Sequence, residues 1–317
     1  MRLNTLSHKA LAAGTVASLL TLAACGTDDS ETSTVAADTA DNGDAVAVCG
    51  SEPLRFSDTG VEGLEELRLE FEDFRVALEE ATGLEVDFQP MSSRTAAATA
   101  LEYDDLDVLL TGPTEYVVLE EAAEALPLVG VTRQEYRPAI YVRSDSDIES
   151  VEDLRGSQFI TKEVGSTAGH LGPLEMIDGA GIDPNAGEID VVPLSGTHIA
   201  AFASGDGDAL GTGIDDLPEL EELMGEENVE VLAEGEDLPN DLFVARVGLG
   251  EECADYLRES LVENQDVLIE AIVATGENDK YEGSEFVEAV DSDYDPIRRA
   301  FVAAGFPEFT DLPDEDE

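Results

Sequence analysis

The sequence has few cationic side chains, few cysteines and no tryptophan. Its 16 Lys and Arg residues stand against 73 Asp and Glu, and only three of the bases are lysines, Lys9, Lys162 and Lys280. The net charge of −57 repels nucleic acid and anionic lipid, which excludes a polyanion-binding role. Three cysteines are too few for a disulfide-dense scaffold, and no Trp is present for sugars or bases to stack on.

Motifs for catalysis and metal binding are also missing from the sequence. There is no EF-hand loop, no His-Glu-x-x-His helix, no Gly-x-Ser-x-Gly elbow and no Gly-Lys-Ser/Thr ending of a nucleotide P-loop. One of only three His residues, His8, falls in the predicted signal segment described below. We therefore expect a protein that is not an enzyme and that holds neither a cofactor nor a metal.

Apolar residues are nevertheless plentiful, so the chain is not a disordered acidic polymer. Hydrophobic residues make up 43% of the 317 positions, enough for one large or two ordinary domains with sizeable cores. The acids are spread along the whole chain. An acid-rich, lysine-poor composition is typical of proteins that work in high salt, and we interpret it as a halophilic adaptation.

The amino terminus indicates export. Residues 1–24 combine a basic start with an uncharged, small-residue stretch that is too short to span a membrane. The stretch ends in Leu22-Ala23-Ala24-Cys25, which resembles a bacterial lipobox and predicts lipidation of Cys25; the alternative is an ordinary secretory signal with an incidental cysteine. The polar, acidic residues 25–48 that follow predict a flexible tether.

Strand and helix patterns alternate over most of the remaining chain. Leu64–Thr82 has apolar residues at spacings of three and four and predicts an amphipathic helix, and residues 106–110 predict a buried strand. A second α/β series follows from residue 139, and we expect a helical tail over residues 253–274, 284–290 and 296–304. Two such halves predict two lobes around a cleft, with the ligand beyond the carboxyl ends of the strands.

Three turns between a strand and a helix carry candidate ligand-binding residues. Gly165-Ser166-Thr167-Ala168-Gly169-His170 offers hydroxyls and free backbone N–H groups to an oxyanion, although it is also compatible with an ordinary helix cap. Thr111-Gly112-Pro113-Thr114-Glu115-Tyr116 opens another helix in the same way. Ser92-Ser93-Arg94 adds a scarce cation, for which a surface salt bridge is the alternative.

Other recognisable stretches are Tyr136-Arg137-Pro138-Ala139-Ile140, Ser204-Gly205-Asp206-Gly207-Asp208-Ala209 and Asp293-Tyr294-Asp295-Pro296. In this order the motifs resemble the periplasmic phosphonate/phosphite/phosphate-binding proteins of ABC transporters. The resemblance covers nearly all of residues 53–306 and is most specific at Gly-Ser-Thr-x-Gly followed by Leu171-Gly172-Pro173. It implies an α/β, type 2 periplasmic-binding fold of two lobes, each a mixed sheet flanked by helices, with an oxyanion bound in the interlobe cleft.

The three turns and the resemblance together predict a set of ligand-binding residues: Ser93, Arg94, Thr111, Gly112, Thr114, Tyr116, Ser166, Thr167, Ala168, His170, His198 and Asp215. For His170 the alternative is a packed helix-face histidine, and for Asp215 it is a solvated acid. The family often has an aromatic residue where this chain has Arg94, and sometimes a Tyr where it has Thr111. The identity of the ligand, whether phosphate, phosphite, an alkylphosphonate or another oxyanion, therefore stays open.

The expected domain organisation is lobe 1 over residues 49–138 plus 243–317 and lobe 2 over residues 139–242. Cys49 and Cys253 remain after Cys25 is assigned to lipid, and an exported chain permits a disulfide between them. We expect a monomer anchored to the cell membrane by lipid, with an ABC permease and its ATPase as partners. The alternative is a ligand-binding lipoprotein that feeds a membrane sensor.

Overall fold

The computed structural model describes residues 42–61, 63–91 and 94–313. The predicted signal segment and Cys25 lie outside these ranges. Within them the chain forms two mixed sheets flanked by helices, which confirms the predicted fold class. The helices are α1 Asn42–Cys49, α2 Leu64–Thr82, α3 Arg94–Glu102, α4 Pro113–Ala123, α5 Gly172–Gly179, α6 His198–Ser204, α7 Leu217–Met224, α8 Glu251–Glu263, α9 Gln265–Val273 and α10 Asp295–Ala303.

The strands are β1 Leu54–Asp58, β2 Val86–Phe88, β3 Val108–Thr111, β4 Leu126–Val131, β5 Pro138–Arg143, β6 Gln158–Thr161, β7 Asp190–Pro193, β8 Ala209–Gly213, β9 Val229–Glu234, β10 Asp241–Ala245 and β11 Phe286–Val287. The first sheet has six strands in the order β11-β4-β10-β3-β1-β2, and the second has five in the order β7-β6-β8-β5-β9. We call the first sheet with its helices lobe 1 and the second sheet with its helices lobe 2.

Both sheets combine parallel and antiparallel pairs. In lobe 1, β1 is parallel to β2 and β3, while β10 is antiparallel to β3 and β4. In lobe 2, β6 is parallel to β7 and β8, and β5 is antiparallel to β8 and β9. The carboxyl ends of β1, β3 and β4 therefore share one edge of the first sheet with the amino ends of β10 and β11. Loops at that edge are close to one another although they are distant in sequence.

Local sequence explains the longest helix. In α2, buried Leu67, Phe71, Phe74 and Leu78 recur at spacings of three and four, and Gly83 ends the helix with a left-handed φ of 67°. The apolar face of α2 packs on the first sheet, where the rings of Phe56 and Phe74 have centroids 5.1 Å apart. None of the helices in the described ranges is long and apolar enough to cross a membrane.

Helix α10, in the carboxyl-terminal part of the chain, contacts both lobes. It packs against α4 of lobe 1 and α5 of lobe 2. Arg299 of α10 lies 3.6 Å from a carboxylate oxygen of Glu175, and the Asn185 side chain donates to the backbone oxygen of Ala303 at 2.8 Å. The apolar core next to α10 is continuous between the two sheets.

Several sequence expectations for the secondary structure are wrong. Residues 284–290 are not helical, because Phe286 and Val287 pair antiparallel with β4 as an edge strand. The helix expected over residues 253–274 is two helices that meet at Asn264. The strands β4 and β10 were not expected. Residues 42–49, placed in the tether up to residue 48, form α1, with Ala45 fully buried.

The structure joins Cys49 at the end of α1 to Cys253 in α8 by a disulfide, with Cα atoms 4.9 Å apart. Cys49 borders a cavity together with Leu54 and Asp107, at the edge where β1 and β3 begin. The bridge therefore lies at the edge of the first sheet opposite to the loops that follow β1 and β3.

Removing this bridge is expected to cost stability. The two cysteines are separated by 204 residues, so the double substitution C49A/C253A frees a long loop in the unfolded chain. We expect the free energy of unfolding to fall by about 3 kcal/mol, as measured by urea denaturation under oxidising conditions. An unchanged unfolding free energy would contradict a stabilising role for the bridge.

Candidate ligand-binding site

A cavity of about 240 Å³ opens between the two lobes, at the strand edge described above. Lobe 1 contributes the residues that follow β1 and β3 and those that precede β10 and β11, and lobe 2 contributes the loop after β6. The residues that line the cavity are Asp58, Thr59, Gly60, Thr111, Gly112, Glu115, Arg133, Tyr136, Glu163, Ser166, Thr167, Asp241, Lys280 and Tyr281.

The lobe 2 wall is the turn that leaves β6. Gly165 adopts a φ of 94°, which an L side chain rarely tolerates, and turns the chain so that Ser166 and Thr167 face the cavity. The Ser166 hydroxyl accepts the N–H of Gly169 at 3.3 Å and caps a wide helical turn over Thr167–Leu171 that continues into α5. Hydroxyls and the amino end of a helix therefore meet at one place, as an oxyanion requires.

His170 supports this turn from behind. Its Nδ1 accepts the backbone N–H of Gly165 at 3.4 Å, and the side chain is buried. Burial lowers the pKa of His170 to about 4, so the ring is neutral at pH 7. His170 does not line the cavity, and the geometry corresponds to the packed-histidine alternative.

The lobe 1 wall mirrors this arrangement with two loops. The Thr59 hydroxyl, just after β1, donates to the hydroxyl of Thr111 at 3.1 Å, and Gly112 caps the amino end of α4. Asp58 accepts the backbone N–H of Gly60 at 2.7 Å, which fixes the loop after β1. The amino end of a second helix thus faces the same cavity from the opposite lobe.

Arg133 supplies a half-buried positive charge to the cavity. Its guanidinium lies 3.6 Å from Asp241 Oδ2 and 3.7 Å from Asp215 Oδ2, and it stacks on the Tyr136 ring at 3.8 Å. Burial alone would lower the pKa of Arg133, but Asp241, Tyr136, Tyr281 and Asp215 together outweigh it and the pKa is raised. The cation is therefore held permanently charged next to the cavity. Lys280 adds a second cation at the rim, 4.9 Å from the centre of the Tyr281 ring.

Two buried carboxyl groups share the lobe 1 side of the cavity. Asp241 is 2% exposed; its Oδ2 accepts the Tyr281 hydroxyl at 2.7 Å, and its Oδ1 has no hydrogen-bond partner among the described residues. Burial raises the pKa of Asp58 to about 6, against the opposing charge of Lys280. The Asp58 carboxyl therefore titrates at about pH 6, close to neutral pH.

The structure brings only part of the predicted site together. Thr111, Gly112, Ser166 and Thr167 line the cavity. Asp215 does not line the cavity but lies 3.7 Å from Arg133, which does. Ala168, next to Thr167, does not line the cavity either. The Thr114 hydroxyl lies 2.7 Å from that of Thr167, behind the wall. Ser93 lies outside the described residues, as does the side chain of Arg94.

Two further predicted residues make contacts elsewhere. The Tyr116 hydroxyl donates to Asp291 at 3.0 Å and its ring packs on Tyr294, so it belongs to the core beside α10. His198 is buried with Nε2 3.8 Å from Asp216 Oδ2, within lobe 2. Burial opposes ionisation of Asp216, but His198, Lys162 and Thr212 together lower its pKa to about 2. Neither Tyr116 nor His198 lines the cavity.

Sequence reasoning missed most of the lobe 1 wall, namely Asp58, Thr59, Gly60, Arg133, Tyr136, Asp241, Lys280 and Tyr281. One signal was available: Lys280 is one of only three lysines, and a cation retained in so acidic a chain is a candidate for function. The described residues contain no group of three His, Cys, Asp or Glu side chains suited to a metal. The cavity offers hydrogen-bond donors and cations to an anion.

The fold and the cleft define a two-lobe solute-binding protein. The family described as ABC transporter, phosphonate, periplasmic substrate-binding protein matches residues 61–294, and the chain belongs to that family. The resemblance seen in the motifs is thereby confirmed. The protein is the periplasmic substrate-binding component of an ABC importer and not an enzyme.

Individual relatives agree with this family. The chain is 24% identical to the phosphate-import protein PhnD of Mycolicibacterium smegmatis over 324 residues, which cover 94% of this chain and 96% of that protein. PhnD1 of Prochlorococcus marinus in complex with methylphosphonate has a similar fold, with a TM-score of 0.60, 18% identity and coverage of 81% and 99% of the two chains. XAC2383 of Xanthomonas citri bound to ATP also has a similar fold, with a TM-score of 0.64, 17% identity and coverage of 83% of this chain and 99% of that one. The likeness to these two structures shows the fold alone.

Proposed function

We propose that the protein binds a small phosphorus oxyanion between its lobes and delivers it to the importer's permease. The observation that carries the proposal is the pair of opposed turns, Ser166-Thr167 on lobe 2 and Thr111-Gly112 on lobe 1, with Arg133 beside them. Hydroxyls, two helix amino ends and a half-buried cation are groups that hold a tetrahedral anion. Thr59, Gly60 and Lys280 join them in this assignment.

The size of the cavity favours a small ligand. Its volume of about 240 Å³ lies below the range of about 300–1,000 Å³ that is usual for pockets of drug-sized molecules. Phosphate, phosphite and methylphosphonate fit this limit. The names of the relatives point in the same direction, one being a phosphate-import protein and another a methylphosphonate complex.

Capture requires that the lobes move apart and close again. Among the strands of the described residues, the chain passes from one sheet to the other twice. It does so between β4 and β5, over residues 132–137, and between β9 and β10, over residues 235–240. We assign the hinges to these two segments, which lie within a few residues of the lobe boundaries expected at 138/139 and 242/243. A liganded monomer closed about the hinges is the form that the permease receives.

The test is a calorimetric titration of the purified full chain in about molar salt, which reduces the Debye length to about 3 Å. The panel is phosphate, phosphite, methylphosphonate, 2-aminoethylphosphonate and sulfate. We expect at least one phosphorus oxyanion to bind with a Kd of about 1 μM or tighter, an affinity typical of a specific small-ligand site. The variant S166A should bind more weakly, and C49A/C253A, altered at the opposite edge, should bind as the unmodified chain does. A folded sample that binds none of the phosphorus oxyanions would reject the proposal.

Lys280 is expected to speed capture of the anion. It stands at the rim of the cavity, and a single charge at about 4 Å contributes about 1 kcal/mol in water, or about a fivefold change in rate. The substitution K280Q should lower the association rate by about that factor in 0.1 M salt, as measured by stopped-flow fluorescence or calorimetric kinetics. The matched control is R155Q, which changes the net charge equally at the opposite edge of lobe 2, before β6. Equal rates for K280Q and R155Q would remove Lys280 from the site.

Lipid anchoring completes the proposal. The Leu22-Ala23-Ala24-Cys25 sequence supports cleavage before Cys25 and attachment of acyl chains there. In the native host, C25A should shift the protein from the membrane fraction to the soluble fraction. The chain that retains Cys25 should carry an N-terminal mass increase equal to the mass of the attached acyl groups. An unmodified Cys25 in membrane-free protein would contradict lipidation.

A further inference from the structure

Two threonines make a close polar contact between the walls of the cleft. Thr114, in the first turn of α4, belongs to lobe 1, and Thr167, in the turn after β6, belongs to lobe 2. Their hydroxyl oxygens lie 2.7 Å apart. Thr114 is fully buried and Thr167 is 7% exposed, so the contact is shielded from water.

A third hydroxyl extends this contact to the connection between the lobes. The buried phenol of Tyr136, in the segment that joins β4 to β5, lies close enough to Thr167 for this threonine to influence its pKa. Burial raises the pKa of Tyr136, so the phenol keeps its proton at neutral pH. Thr167 is therefore in contact with a hydroxyl of lobe 1 and close to one of the connecting segment.

Thr114 differs from Thr167 in its relation to the ligand cavity. Thr167 lines the cavity, whereas Thr114 does not. The hydroxyl of Thr114 contacts Thr167 of the opposite lobe and does not face the cavity, so we assign it no part in holding a ligand. In the proposed open form both hydroxyls are exposed to water, and the contact forms again only on closure.

We propose that Thr114 is an interlobe latch, a positioning residue that favours the closed conformation through Thr167. This inference rests on the proposed ligand-induced closure of the two lobes. A buried neutral hydrogen bond shifts such an equilibrium by about 2- to 13-fold. Because the latch does not touch the ligand, it strengthens the binding of every ligand by the same factor and also favours closure of the ligand-free protein.

The test compares T114V, which removes the hydroxyl and keeps the shape, with T114S, which keeps the hydroxyl. T99V, at an exposed threonine on α3, is the matched control. T114V should raise the Kd of each panel ligand that binds by one common factor of about 2- to 13-fold, chiefly through faster dissociation. T114S and T99V should retain the original values. Small-angle X-ray scattering of ligand-free T114V should give a larger radius of gyration than the unmodified chain.

Three outcomes would overturn the latch. The first is a Kd and a radius of gyration that T114V leaves unchanged, even if its melting temperature falls. The second is a change in Kd that differs among ligands, which would make Thr114 a ligand contact. The third applies if the unmodified chain binds no panel ligand: the proposed function then fails, and an unchanged radius of gyration in T114V rejects the latch separately.

Discussion

The substitution R133Q is expected to abolish tight binding of the oxyanion and to destabilise the fold. Arg133 faces the cavity and neutralises Asp241, which is 2% exposed. Truncating one member of a buried charge pair costs about 2–5 kcal/mol, and we expect Kd to rise at least about 30-fold. The unpaired Asp241 should also lower the free energy of unfolding by about 3 kcal/mol. Calorimetry and urea denaturation of the same sample give the two values.

The double substitution R133Q/D241N separates these two effects. It removes the uncompensated carboxylate together with the cation, so we expect stability to return to within about 1 kcal/mol of the unmodified chain. Binding should not return, because the cation that faces the ligand is still missing. Recovery of binding in the double variant, or unchanged binding in R133Q, would show that Arg133 acts only as a structural partner of Asp241.

The substitution D58N is expected to stabilise the protein at pH 8 but not at pH 4. Burial raises the pKa of Asp58 from 3.8 to about 6, so the folded state binds a proton more tightly than the unfolded state does. The stability linked to this carboxyl is fully present below pH 3.8 and is lost as the pH rises through about 6. The loss amounts to about 3 kcal/mol.

Asparagine avoids this loss because it does not ionise. Unfolding free energies from urea denaturation should therefore favour D58N by about 3 kcal/mol at pH 8, with the gap closing towards pH 4. D105N, at an exposed carboxyl, should change stability by less than about 0.5 kcal/mol at either pH. D58N should also bind a dianion more tightly at pH 8, because one negative charge leaves the cavity. A gap that is the same at pH 4 and pH 8 would contradict the raised pKa.

The parts of the fold that sequence predicts well are those governed by local spacing. The bounds of α2 follow from its apolar face and from Gly83, and Pro113 marks the start of α4. The short strand β10 was missed, since five buried residues in a row give no period. Its place between β3 and β4 depends on partners more than 100 residues away.

The same distinction applies to the candidate site. The turns at Thr111 and Ser166 are visible in the sequence, because hydroxyls and glycines follow a strand and precede a helix. Arg133, Asp241 and Lys280 reach the cavity only because β10 and β11 pair antiparallel with β4. No local pattern records that pairing. His170 and Tyr116 lie within recognisable motifs, yet their side chains turn away from the cavity, which spacing alone does not reveal.

The most direct test of the account is a crystal structure of the protein with the tightest phosphorus oxyanion of the panel. We predict electron density for the anion in the cleft, with its oxygens about 2.7–3.2 Å from donors of both lobes, including Ser166 on lobe 2 and Thr59 or Arg133 on lobe 1. An anion bound outside the cleft, or held by one lobe alone, would contradict the claim that the two opposed turns form the binding site.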